Sequence, residues 1–150
     1  MSDVAEWIVA RLEEAGRTLY CLPWSGLGPR MRTSHMDVVR SAAEIAMANP
    51  SAKLRLPMPS PARIDAMDEA YGWLALIPQD RYVLRRIVGA RSLVHPLTDR
   101  HLYSWRRLGT MLGADHRAVP RWHAEGIAYI AAAALRGRAV SPDSARPAAA

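Results

Sequence analysis

The chain reads as an all-α protein, a helical bundle with a helix-turn-helix toward its C-terminal end. Three observations carry that reading. Apolar residues recur at helical spacing, alternating strand-type patterns are absent, and prolines cut the chain into helix-sized pieces.

Residues 4–19 place Val4, Ile8, Leu12, Ala15 and Leu19 on one stripe, with Trp7 and Arg11 alongside. Asp3 stands at the capping position and Glu6 follows at capping-box spacing. Pro23 ends this helix, and 23–34, with Gly26, Gly28 and Pro29, reads as a loop. A second helix spans 35–48, with Val38, Val39, Ala42, Ile45 and Ala46 on one side. Pro50, Pro57, Pro59 and Pro61 are too many for helix or central strand, so 49–60 is expected to be a semi-rigid linker.

Ser60 followed by Pro61 starts a third helix over 61–77, which turns Ile64, Met67, Tyr71 and Leu74 inward and stops at Pro78. Asp80 is the expected cap of a fourth helix, 81–91, whose apolar residues are Tyr82, Val83, Leu84 and Ile87. His95-Pro96 breaks the chain again. A fifth helix after Asp99 leads to Leu112, and a sixth runs from Asp115 to about Leu135. The organisation expected is an N-terminal helical pair (1–48) for oligomerisation or partner binding, the linker, a DNA-binding domain over 61–136, and a disordered tail over 137–150.

Half of the 150 residues are hydrophobic, enough for a real core in one domain or a domain with a helical appendage. No apolar run approaches the ~20 residues that span a bilayer. Glu6, Glu13 and Glu14 fall where a signal peptide would be apolar, so the expectation is a cytoplasmic protein with no membrane association. Cys21 is the only cysteine, which excludes an intrachain disulfide and a Cys-based metal site; it reads as a small buried hydrophobe.

Net charge is +6, and its distribution says more than its total. Nine arginines and two acids, Asp99 and Asp115, lie between Arg81 and His123, a local excess of +7 that leaves −1 for the rest of the chain. Nineteen of the twenty basic residues are Arg and only Lys53 is Lys, a compositional bias that makes location the informative part. A basic block confined to one segment is the electrostatic footprint of a phosphate-facing surface.

Within that block, Ser104 to Ile130 carries the pattern of a helix-turn-helix. Two helices that cross tightly at a steep angle, joined by a three- to four-residue turn, need a small residue in the first, a glycine of positive φ in the turn, and a branched apolar plug in the second. Gly109, Gly113 and Val119 hold those places at spacings of four and six. Leu108, Leu112, Ala114 and Trp122 occupy neighbouring core positions, and Asp115 stands where the second helix needs a cap. The second helix would then present His116, Arg117 and Arg121 to base edges, with Glu125 a further outward residue. Arg100, Arg106 and Arg107, with His101 nearby, would hold phosphates. Pro120, five residues into that helix, removes a backbone bond to His116 and should bend or loosen its first turn.

The run PSPARIDAMDEAYGWLALIPQDRYVLRRIVGAR, then W..LGTMLGADHRAVPRW and IAYIAAAAL, resembles a family of uncharacterised prophage-encoded helix-turn-helix proteins. The likeness covers roughly residues 55 to 136, and the arrangement is similar to sigma-factor region 4 and to phage late-transcription regulators. It implies a DNA-binding role in phage biology, with Trp105, Gly109, Gly113 and Trp122 as fold positions and Arg117 and Arg121 as readers. This chain departs from the pattern at Pro120 and in its longer SLVHPLTDRHLY stretch.

Other constellations carry less. His116 and His123 lie two turns apart on one helix, about 10 Å along its axis, so no metal or other cofactor is expected. Asp65, Asp68 and Glu69 read as a solvated acidic first turn of the third helix. No nucleophile elbow, phosphate-cradling glycine loop or catalytic triad is present, so no catalytic residue and no enzyme is expected. The partners expected are double-stranded DNA and further copies of the chain, as a dimer or larger, with RNA polymerase or phage packaging proteins beyond them. Two alternatives to a phage or prophage transcriptional regulator stand beside it: a small terminase subunit, and a protein–protein adaptor whose helix-turn-helix has lost DNA binding.

Overall fold

Ile8, Leu12, Ala15 and Leu19 fall on one line of the first helix, and all four are buried. The structure, a computed structural model, describes residues 3–22, 38–43 and 56–137. Its helices are α1 (Asp3–Cys21), α2 (helical residues 38–43), α3 (Pro61–Gly72), α4 (Tyr82–Ser92), α5 (Trp105–Leu112) and α6 (Val119–Leu135). Two 3₁₀ turns, Trp73–Leu76 and Gln79–Arg81, join α3 to α4. Among the described residues there is no strand, only an isolated antiparallel bridge between Val94 and His101, so the fold is all-α as expected. No helix among them is long and apolar enough to cross a membrane.

α1 lies along α3 and also meets α4 and α6, while α6 packs on α4 and on Trp73–Leu76. The inward side chains of α1, α3, α4 and α6, with Val39 and Ala43 of α2, merge into one core that includes Met67, Tyr71, Leu74, Ile87, Tyr103 and Ile127. In α2 the inward place falls to Ala43, and Ala42 is half-buried. Ile45, Ala46, the 23–34 loop, the first part of the linker and the tail beyond Gly137 lie outside the described residues.

The start of α3 is as its sequence predicts. Ser60 is the N-cap, its Oγ accepting from the Arg63 N–H at 3.3 Å, and Pro61 occupies the first turn. Its end differs from the expected 61–77. The α-helix stops at Gly72, tightens into the 3₁₀ turn, and leaves Ile77 extended ahead of Pro78, whose ring excludes helical geometry from the residue before it. Arg85 satisfies the carbonyls freed there, donating from Nε to Ile77 O at 2.8 Å and from Nη2 to Ala75 O at 3.4 Å. Asp80 does not cap α4: it sits inside the second 3₁₀ turn, and the residue preceding α4, Arg81, makes no side-chain cap. Tyr82 and Val83 are exposed, since the buried line of α4 runs through Leu84, Ile87 and Val88. Asp65, Asp68 and Glu69 lie beyond the first turn of α3, not in it as expected, so the helix dipole favours them little. Burial, followed by repulsion from Asp65, raises the Asp68 carboxyl above its ordinary value.

The tightest contact in the bundle is backbone on backbone. A Cβ built on Gly16 of α1 would lie 2.0 Å from the Ser92 carbonyl oxygen at the end of α4. Ser92 Oγ donates to Gly89 O at 2.6 Å, which leaves it to accept from the buried Tyr71 hydroxyl at 3.2 Å. Burial pushes the Tyr71 phenol well above its usual range. Gly16→Ala is therefore expected to destabilise the protein by about 3 kcal/mol, because neither backbone can yield without shifting a helix. Gly72→Ala, at a helical site with nothing within 4 Å of the new methyl, should gain about 0.5 kcal/mol. Urea denaturation of both variants checks the pair; equal effects would contradict the crossing described here.

Candidate functional site

Ser104 is the N-cap of α5, its Oγ accepting from the Arg107 N–H at 3.1 Å. After eight helical residues α5 is closed by Gly113, whose φ of 63° and ψ of 31° are left-handed. The Gly113 N–H bonds to Thr110 O at 3.3 Å and the Ala114 N–H to Gly109 O at 2.9 Å. That pair of closures is the Schellman stop, which a residue with a Cβ makes only under strain. Gly109 is needed for another reason: a Cβ there would lie 2.8 Å from Ala114 O and 3.1 Å from the His116 backbone. The chain after the turn folds back directly onto α5, and Val119 fills the angle fully buried.

α6 begins at Val119, four residues later than the expected Asp115, so six residues (113–118) join it to α5 where a turn of three or four was expected. Asp115 Oδ1 accepts from the Arg117 N–H at 2.9 Å and Asp115 O from the Ala118 N–H at 2.9 Å, so residues 115–118 form a turn of their own. This reverses the expectation for Pro120. It lies in the first turn of α6, where the missing N–H has no helical partner to lose, and it starts the helix instead of bending it. His116 and Arg117 consequently sit in the turn ahead of α6, and Arg121 in its first turn.

Leu108 and Gly109 are buried with Val119, while Trp105, Leu112 and Trp122 pack half-buried against the core. The basic block divides. Arg81 pairs with Glu125 at 3.4 Å, Arg85 caps the 3₁₀ turn, Arg91 donates to Tyr103 O at 2.8 Å, and Arg107 donates to Leu102 O at 3.1 Å while stacking 4.5 Å from the Tyr103 ring centroid. Arg86, Arg100, Arg106, Arg117 and Arg121 are exposed, and their side chains have no hydrogen-bond or ion-pair partner among the described residues. His116 is exposed with Nδ1 3.4 Å from Asp115. His101 faces inward instead: its Nδ1 is 2.8 Å from Arg91 O and its Nε2 is 3.4 Å from Glu13 Oε1 on α1.

Residue spacing did not reveal the cluster this creates. Glu13, Arg91, His101, Tyr103, Trp105 and His123 come from α1, α4, the link 93–104, α5 and α6. The link itself is tied back by Leu102 N–H to Leu93 O at 2.9 Å and His95 N–H to Arg100 O at 2.9 Å, with its tip held by Arg17 Nε to Asp99 Oδ1 at 3.1 Å. The long SLVHPLTDRHLY stretch is thus a closed loop that returns the chain to the end of α4. Cys21, the last residue of α1, is half-buried, and burial raises its thiol pKa, which disfavours the reactive thiolate. No group of three or more His, Cys, Asp or Glu among the described residues is placed to hold a metal ion.

These observations define an all-helical protein with a tight, glycine-dependent junction between α5 and α6 and arginines near the start of both that are unpaired among the described residues. Residues 22–130 match the family described as Domain of unknown function (DUF6362), and the chain belongs to that family. No curated protein matches the chain, and no solved structure does.

His123 provides a titration test of the junction. Burial first, then the nearby charges of Arg91 and His101, lower its pKa from 6.5 to about 4. The folded state therefore holds the neutral ring, whereas the unfolded chain takes up a proton once pH falls below about 6.5. Stability from this group is complete above pH 6.5 and is lost as pH falls toward 4, about 3 kcal/mol in all. The loss in urea stability between pH 7 and pH 4.5 should be smaller in His123→Gln than in wild type; parallel curves would contradict the assignment.

Proposed function

We propose that this protein binds duplex DNA through a helix-turn-helix made of α5 and α6, and that it acts in transcriptional regulation. The observation that carries the reading is the division of the basic block. Arginines that the fold needs are engaged with carbonyls, a carboxylate or rings, whereas Arg106, Arg117 and Arg121 at the α5–α6 junction, and Arg100 in the link before it, are exposed and unpaired among the described residues. Charge held out in this way suits phosphate and base edges.

The junction supplies a second support. Gly109 and Gly113 allow the close return and the left-handed stop that two packed helices need, and buried Val119, the first residue of α6, plugs the angle across a six-residue connection, 113–118. In this reading α6 is the recognition helix, and its N-terminal end enters the major groove. Arg121 is the principal base reader, suited to guanine through two parallel hydrogen bonds, with Arg117 and His116 beside it in the preceding turn. Arg100 and Arg106 hold phosphates; Arg107 adds the guanidinium N–H groups not taken by Leu102. Glu125 is occupied by Arg81. The adaptor alternative drew its force from Pro120, and a proline in the first turn of α6 gives it none. One such unit makes few contacts, so two copies on paired half-sites are expected.

Fluorescence anisotropy with a random duplex tests this. Affinity of the wild type should fall steeply between ~50 and ~200 mM salt, with a log–log slope near −0.9 per phosphate neutralised. Arg117→Ala/Arg121→Ala should weaken binding about tenfold and flatten the slope. Weak binding indifferent to salt and to both arginines would overturn the proposal.

A further inference from the structure

We infer that Arg91 is a positioning residue for the α5–α6 pair, setting the pitch at which α5 presents Arg106 and Arg107. The inference rests on the DNA-binding reading above. α5 has eight residues, packs chiefly on α6, and buries only Leu108 and Gly109 completely, so burial alone fixes its orientation weakly.

Arg91 supplies what burial does not. From the last turn of α4 its Nη1 donates to Tyr103 O, two residues ahead of α5, at 2.8 Å. Its guanidinium lies 4.0 Å from the ring centroid of Trp105, the first residue of α5. Trp105 in turn meets His123 of α6 edge-on, with centroids 5.3 Å apart. The Arg91 backbone carbonyl is engaged by His101 Nδ1, and His101 faces Glu13 of α1. One side chain therefore grips both the residue that leads into α5 and the ring that begins it, and its own backbone is tied toward α1. A planar guanidinium stacks and donates at once, and an ammonium cannot do both in one geometry.

Removing that grip frees the start of α5. The phosphate-side arginines then lose register with Arg117 and Arg121, although none of those four is altered. Arg91 acts through Trp105 and Tyr103 and need not touch DNA.

The test uses the full chain, with anisotropy on duplex DNA and thermal unfolding measured in parallel. Arg91→Ala should weaken binding about tenfold and shift the salt slope by about two phosphates' worth, more than one lost cation explains. Arg106→Ala should then add little in the Arg91→Ala background, a non-additive cycle. Arg91→Lys keeps the charge and should recover stability without recovering the slope; it carries the same comparison should Arg91→Ala not fold. A lowered melting temperature with an unchanged slope would reduce Arg91 to a structural role and overturn the inference. Additive effects of Arg91 and Arg106 would make Arg91 a direct phosphate contact and overturn it equally. A wild type without salt-dependent binding removes the DNA reading itself, an outcome distinct from both.

Discussion

The backbone of α1 rests on the end of α4 with only a hydrogen atom of Gly16 between them. Much of the architecture depends on that approach. Three helices meet at Ser92: its hydroxyl accepts from Tyr71 of α3 and donates back into α4, while its backbone carbonyl lies against Gly16 of α1. The contact falls where α4 stops. The following link folds back on itself through Leu93–Leu102 and His95–Arg100 backbone bonds, delivering Ser104 and α5 beside Arg91. A larger residue at position 16 would lift α1 and loosen the point from which the last two helices are hung.

Electrostatics in this protein is a matter of allocation. Arginine is used inside the fold as a carbonyl cap and an aromatic stack, tasks that its forked, planar head performs better than lysine. Arg85 closes the end of a 3₁₀ turn, and Arg107 and Arg91 close the residues leading into α5. What remains outside is a smaller set of unpaired cations than the count suggests, and those at the two helix starts carry the functional proposal. A surface pair such as Arg63–Glu14 contributes little stability by comparison, since both partners keep about half of their solvent exposure.

Local chemistry was legible wherever a single residue type does one job. Ser60-Pro61 announced the start of α3, Gly113 the left-handed stop of α5, and Gly109 a close approach, because caps, positive φ and missing side chains act within a few residues. The inward stripe of α1 was legible for the same reason. Reading failed where two local signals competed. Pro120 looked like an interruption because Asp115 looked like a helix cap, when Asp115 closes a separate turn and the proline begins the helix. Pro78 marked an end for α3, yet the preceding 3₁₀ tightening has no signature of its own.

The amino-acid order therefore settled the all-helical class, the start of α3, the tight stop after α5 and the confinement of charge to one segment. Each of these follows from the conformational preference or charge of residues near one another in the chain. Tertiary packing decided which arginines are structural, that His101 turns inward toward Glu13, and that His123 is kept neutral against Trp105. Those outcomes depend on distances between segments far apart in the chain, and burial and hydrogen bonding assign roles there that spacing along the sequence does not encode.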